Sequence, residues 1–162
     1  MYTTRTTRAV LILAVATVAA CTRTAGGAST STPDQAVAGL KWGPAPPILP
    51  PGAQLAVLQG DPSKAAPFTV RLRFPSGYRI APHTHPTDEH VTVIEGTFLV
   101  GMGEKFVTNG MLALGPGGFV TAPANEAHYA TARGTTVVQV HAIGPFALTY
   151  VNPADTPRAV GR

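Results

Sequence analysis

The chain has 162 residues, of which 44% are hydrophobic and 12% charged, a globular composition with room for one domain of ordinary size. Its 17 glycines and 16 prolines run through the whole length and exclude a protein built from long helices. The formal net charge of +4 comes from scattered basic residues with no run and no aromatic-interleaved patch, so no nucleic-acid partner is read from it.

In chain order, residues 1–20 read as a signal peptide. Arg5 and Arg8 form a small cationic start, and residues 9–20 are an unbroken run of small and apolar side chains. That run is too short for a bilayer, which needs about 20 residues, but suits the apolar core of an export signal. Thr6 and Thr7 separate the arginines, so the signal is not of the twin-arginine kind. The run stops at Val18-Ala19-Ala20-Cys21, which resembles a bacterial lipobox and implies cleavage before Cys21 and lipidation of its thiol. Cys21 is the only cysteine, so a core or a metal rather than a disulfide must stabilise the mature domain. Loss of Arg5 and Arg8 lowers the net charge from +4 to +2. The expected location is outside the cytoplasm, with the membrane contacted through the lipid alone.

Residues 21–36 are small and polar, cannot bury enough apolar surface to order themselves, and read as a flexible linker. Residues 37–53 read as an extended arm lying across the domain, with Trp42 as apolar anchor and Pro44, Pro46, Pro47, Pro50 and Pro51 keeping it extended. Residues 54–152 form the folded domain and 153–162 a C-terminal tail. Within the domain, residues 68–74 alternate cleanly: Phe68, Val70, Leu72 and Phe74 on one side, Thr69, Arg71 and Arg73 on the other. Further strands are expected at 55–59, 89–95, 97–102, 111–114, 118–122, 127–132, 135–143 and 147–150, divided by Gly96, Gly110, Gly115-Pro116-Gly117, Pro123, Gly134 and Gly144-Pro145. So many strands without an intervening helix indicate an all-β sandwich or closed barrel.

One constellation carries chemistry. His83 and His85 are two apart, so on a strand both imidazoles leave the same face. Glu89 follows across the bend Pro86-Thr87-Asp88, and His128 opens a later strand. Three imidazoles and a carboxylate make a mixed N/O shell for one divalent transition metal, with one or two positions left for water or a small-molecule ligand. Alternation turns His90 outward. On residues 135–143, Gln139 and His141 share the face opposite Val138, Val140 and Ala142; if that polar face lines the lumen, both would support the site or touch substrate, and otherwise they lie on an outer face or a dimer contact. Glu126 reads as a solvated turn carboxylate, Tyr129 and Tyr150 as core and rim residues, and Arg71 and Arg73 as a solvated face. Arg79 lies near enough to the histidines to hold an anionic ligand.

Gly77, His83, His85, Glu89 and Gly96 are similar, without a gap, to the first cupin motif, G-x5-H-x-H-x3-E-x6-G. Gly117, Pro123 and His128 match the second, G-x5-P-x-G-x2-H-x3-N, with departures at Asn125, where Gly is usual, and at Ala132, where Asn is usual. Asn tolerates the positive φ that a turn Gly supplies, so the first departure is mild. The resemblance covers about residues 50–150. It implies a small jelly-roll barrel, or double-stranded β-helix, that pairs with a second copy through its sheets. The same family supports dioxygenases, decarboxylases, isomerases, storage proteins and sensors, so it does not fix a reaction. Two readings stand: a metal-dependent, oxygenase-like enzyme in which Glu89 is ligand and proton shuttle, and a non-catalytic module that captures a small molecule or metal. Export favours Zn or Cu over Fe, Mn or Ni, because affinity order decides once cytosolic control is absent.

Overall fold

A computed structural model describes residues 39–158. The signal peptide, Cys21 and the linker to residue 36 lie outside the described residues. Nine strands follow one another, all paired antiparallel. They are β1 (Gly43–Pro44), β2 (Gln54–Gln59), β3 (Pro67–Phe74), β4 (Arg79–Thr84), β5 (Glu89–Met102), β6 (Leu112–Leu114), β7 (Phe119–Ala122), β8 (His128–Ile143) and β9 (Thr149–Tyr150). A 3-10 turn, Pro153–Asp155, follows, with the Asn152 side chain accepting from the N–H of Ala154. Among the described residues no helix is long and apolar enough to cross a membrane.

Strand β8, 16 residues long, organises the sheet. Its C-terminal half pairs with β3, its N-terminal end with β4, and its other edge with β5. The sheet curls around an apolar lumen filled by Val70, Leu72 and Phe74 of β3, Val91, Val93, Phe98 and Val100 of β5, and Val138 and Val140 of β8. Each of these buried side chains contributes roughly 1.5–3 kcal/mol relative to exposure. The β3 alternation is as the sequence predicts: Phe68, Val70, Leu72 and Phe74 are all buried.

Two expected turns are not turns. Gly96 and Gly134 lie inside β5 and β8, which run on where the sequence reading breaks each into two strands. At Gly96 the ladder between β5 and β8 shifts register, and φ is +77°. A Cβ there would sit 2.3 Å from the carbonyl oxygen of Thr135, so only glycine lets the two strands approach.

The arm is also corrected in detail. Its buried anchor is Leu49, not Trp42. Trp42 is half-buried and receives the Arg73 guanidinium over its ring, 4.1 Å from the centroid. Arg73 therefore packs rather than simply facing water.

Candidate metal centre

The site forms where β4 meets the start of β8. His83 and His128 are direct cross-strand partners, and His85 follows just past the end of β4. Glu89 opens β5 opposite Ala122 of β7. The loop between β7 and β8 is pinned at two points: Asp88 Oδ1 accepts the N–H of Ala124 at 2.8 Å, and the N–H of Asn125 donates to His85 O at 2.8 Å. Asn125 has φ +62°, the conformation for which Asn substitutes for Gly.

All four side chains are buried. One ligating nitrogen from each of His83, His85 and His128 lies within 4.8 Å of the others. Glu89 Oε2 is 3.6 Å from His85 Nε2 and 3.7 Å from His128 Nε2, too far for good hydrogen bonds. The Nδ1 atoms are engaged elsewhere, His83 with Ala81 O at 2.8 Å, His85 with Ala147 O at 2.7 Å and His128 with Glu126 O at 3.2 Å. A carbonyl only accepts, so each Nδ1 carries the proton and each Nε2 presents a lone pair. His85 Nε2 is buried without any partner. An orphaned buried acceptor is costly, and a metal is the partner that suits it, so the residues present fit the group the fold implies.

The electrostatics agree. Burial, then neighbouring His128 and His85, push the His83 imidazole down to about 3, so it stays neutral and able to ligate. Burial alone would raise Glu89, but the facing imidazoles of His128, His85 and His83 outweigh it and hold the carboxyl below its usual value. The Phe146 ring stacks on His85 at 5.7 Å. The cavity around the four groups has about 30 Å³ of free room, enough for about two waters. Its other walls are apolar, from Leu72, Phe74, Val91, Val138 and Val140 of the strands to Leu49 of the arm.

Other sequence candidates lie elsewhere. Gln139 and His141 do not line this cavity, because Val138 and Val140 take the inner face of β8; of the two faces the sequence leaves open for them, they take the outer one. They belong to an outer polar chain in which Arg71 Nε donates to Gln139 Oε1 at 3.1 Å and His141 meets Gln139 Nε2 and Thr69 Oγ1. His90 is on the outer face as expected, with Nδ1 3.0 Å from Thr121 Oγ1. Arg79 is exposed and lies over the Phe106 ring, so it does not reach the cluster. Glu126 is exposed and serves through its backbone carbonyl. Tyr129 and Tyr150 are buried, with hydroxyls donated to Val107 O and Ile48 O. Sequence reasoning missed the carbonyl anchors of Ala81, Ala147 and Glu126, which carry no side-chain signal.

Residues 70–144 match a family model described as a cupin domain. The fold is similar to that of the polyketide cyclase RemF from Streptomyces resistomycificus, with TM-score 0.58 and 18% identity over 74% of this chain and 85% of that one. It is similar to the DMSP lyase DddQ from Ruegeria pomeroyi, with TM-score 0.56 and 18% identity over 70% and 62%. KdgF from Halomonas sp. aligns with TM-score 0.50 and 22% identity over 64% and 88%. No curated protein sequence matches the chain.

Proposed function

We propose that the chain is a single-domain cupin whose domain binds one divalent transition metal through His83, His85, His128 and Glu89 and acts with it on a small molecule. One observation carries this reading: three imidazoles with Nδ1 tied to backbone carbonyls converge through Nε2, and one of those atoms, His85 Nε2, is buried without a partner. When bound, the metal would supply a Lewis acid or an O2-binding centre. The chain's own part is to fix the imidazole tautomers, keep water out through an apolar wall, and offer Glu89 as the group that can hold a proton. The enzymatic reading is oxygenase-like in class; a cyclase and a lyase share the fold, which therefore does not choose the reaction.

The test is to strip the protein with chelator, restore metal, and compare binding of compact oxygen-donor compounds of a few heavy atoms together with O2 consumption. Metal-dependent binding with O2 uptake supports the enzyme. Equal affinity in stripped and loaded protein would remove the metal from the function. A second reading, a non-catalytic binding module, is favoured by one feature: no titratable side chain lines the cavity beyond the ligand set. Metal-dependent binding without turnover of any compound would select it.

The proposal includes export and lipid attachment at Cys21, and with them a site loaded with Zn or Cu rather than Fe, Mn or Ni. Elemental analysis of protein taken from native envelopes checks this, and a predominance of Mn or Fe overturns it.

A further inference from the structure

The cavity wall has one irregular member. Apart from His85, just past the end of β4, every other lining residue sits on a strand or on the short segment that joins β8 to β9, whereas Leu49 comes from the arm ahead of β2. Leu49 is 4% exposed, although its neighbour Pro47 is exposed and Ile48 and Pro50 are half-buried. It points one side chain into the space that also holds His83, His85, Glu89 and His128.

Among the described residues the arm has little ladder to hold it, Gly43 against Leu55 and Pro44 against Gln54, continued by the Ala45 N–H donating to Ala53 O. Pro44, Pro46, Pro47, Pro50 and Pro51 have no N–H to offer a sheet. Instead two phenols hold it on either side of Leu49: the Tyr150 hydroxyl donates to Ile48 O at 2.9 Å, and the Tyr78 hydroxyl donates to Pro50 O. Tyr150 stands on β9 directly opposite His83 of β4, so this attachment lies beside the cluster. Burial raises both phenols, Tyr150 to about 12, and keeps them as donors.

From these contacts we infer that Leu49 sets the size limit of the ligand reaching the His83, His85 and His128 cluster. With Leu49 seated, the free room is about 30 Å³. Such small room favours a compact ligand over a ring-sized one, and shortening the Leu49 side chain or lifting the arm would admit the larger. The class favoured is a compact ligand with one metal-binding head and little polar surface, since the remaining wall is apolar.

This inference rests on the metal reading, and the test separates the two. Stripped protein is loaded with cobalt(II), whose visible spectrum reports ligand exchange, and titrated with azide as the small probe and imidazole as the ring-sized one. Leu49→Ala is expected to raise imidazole affinity by about tenfold or more, the scale on which missing methylenes in an apolar pocket discriminate ligands, while azide affinity stays within about twofold. Leu49→Val, which removes less and is the variant to read if Leu49→Ala does not fold, should shift imidazole in the same direction by a smaller factor. A cobalt spectrum with imidazole selectivity unchanged, or with both probes gaining alike, overturns the role of Leu49 and leaves the metal reading standing. Absence of a cobalt spectrum in the unmodified protein overturns both.

Discussion

Strand β8 presents a histidine on each of its faces, and the two are held in opposite ways. On the inner face His128 spends Nδ1 on a backbone carbonyl and turns Nε2 toward His83, His85 and Glu89. On the outer face His141 has both nitrogens engaged, Nδ1 with Thr69 Oγ1 at 2.9 Å and Nε2 with Gln139 Nε2 at 3.0 Å. Gln139 Oε1 is occupied by Arg71 Nε, so the amide must present its NH2 to His141, which then donates from Nδ1 to Thr69. The outer histidine is satisfied by protein alone; the inner cluster is not. What sets the inner cluster apart from the structural histidine here is therefore the unfilled lone pair at His85 Nε2, not the residue type.

The first way to break this comparison is energetic. Phe74 is 1% exposed and stacked between Tyr78 at 4.9 Å and Phe98 at 6.1 Å. Phe74→Ala should cost about 3–5 kcal/mol. Its neighbour Arg73, on the outer face over Trp42, should cost only about 0.5–1 kcal/mol on replacement by Ala. Urea unfolding measures both, and similar losses would show that the two faces do not differ as their burial implies.

The second is chemical. His128→Ala removes a ligand and should weaken metal binding by more than the roughly 10–100-fold that losing a supporting partner costs. His141→Ala should leave the affinity within about twofold. Competition against a chromophoric chelator reads both; a matching loss in His141→Ala would bring the outer histidine into the site after all.

The third is a pH profile of the metal-free protein. The His83 imidazole is pushed from 6.5 to about 3 by burial and by its histidine neighbours, so the unfolded chain takes up that proton well before the folded one. Stability is then full above about 6.5 and declines as pH falls toward about 3, by at most about 1.4 kcal/mol per unit from this group. Glu89, whose folded value is lowered, adds a loss in the same direction at more acid pH. His83→Gln should flatten the upper part of the slope. An unchanged slope would place the acid sensitivity outside the cluster.

Much of this was legible in the sequence, and the rest was hidden for identifiable reasons. Alternation along residues 68–74 showed which side chains face the core, and the spacing of His83, His85 and Glu89 matched a strand end followed by a bend. The side taken by His141 was open, because alternation defines two faces without saying which is inside. The lumen proved apolar apart from the three imidazoles and Glu89, so Val138 and Val140 took it. Gly96 and Gly134 looked like turns because a glycine that ends a strand and one that lets a long strand kink past its neighbour read alike. The place of Leu49 had no local signal, since it depends on Tyr78 and Tyr150, far along the chain.

The smallest expected effect is the most exacting for the comparison. Gln139 sits between Val138 and Val140, so it is well placed to pass an outer change to the inner wall through β8. Gln139→Ala removes the hydrogen bonds to Arg71 and His141 and should cost about 1 kcal/mol, the net worth of a partly exposed hydrogen-bonded group. The inner wall is made by the two valines and by ladder bonds of the backbone, none of which the substitution touches. Metal affinity should therefore stay within about twofold while the unfolding midpoint moves. If affinity instead falls about tenfold, equivalent to about 1.4 kcal/mol, the outer chain is coupled to the site through β8, and the separation between the two faces fails at the strand that defines it.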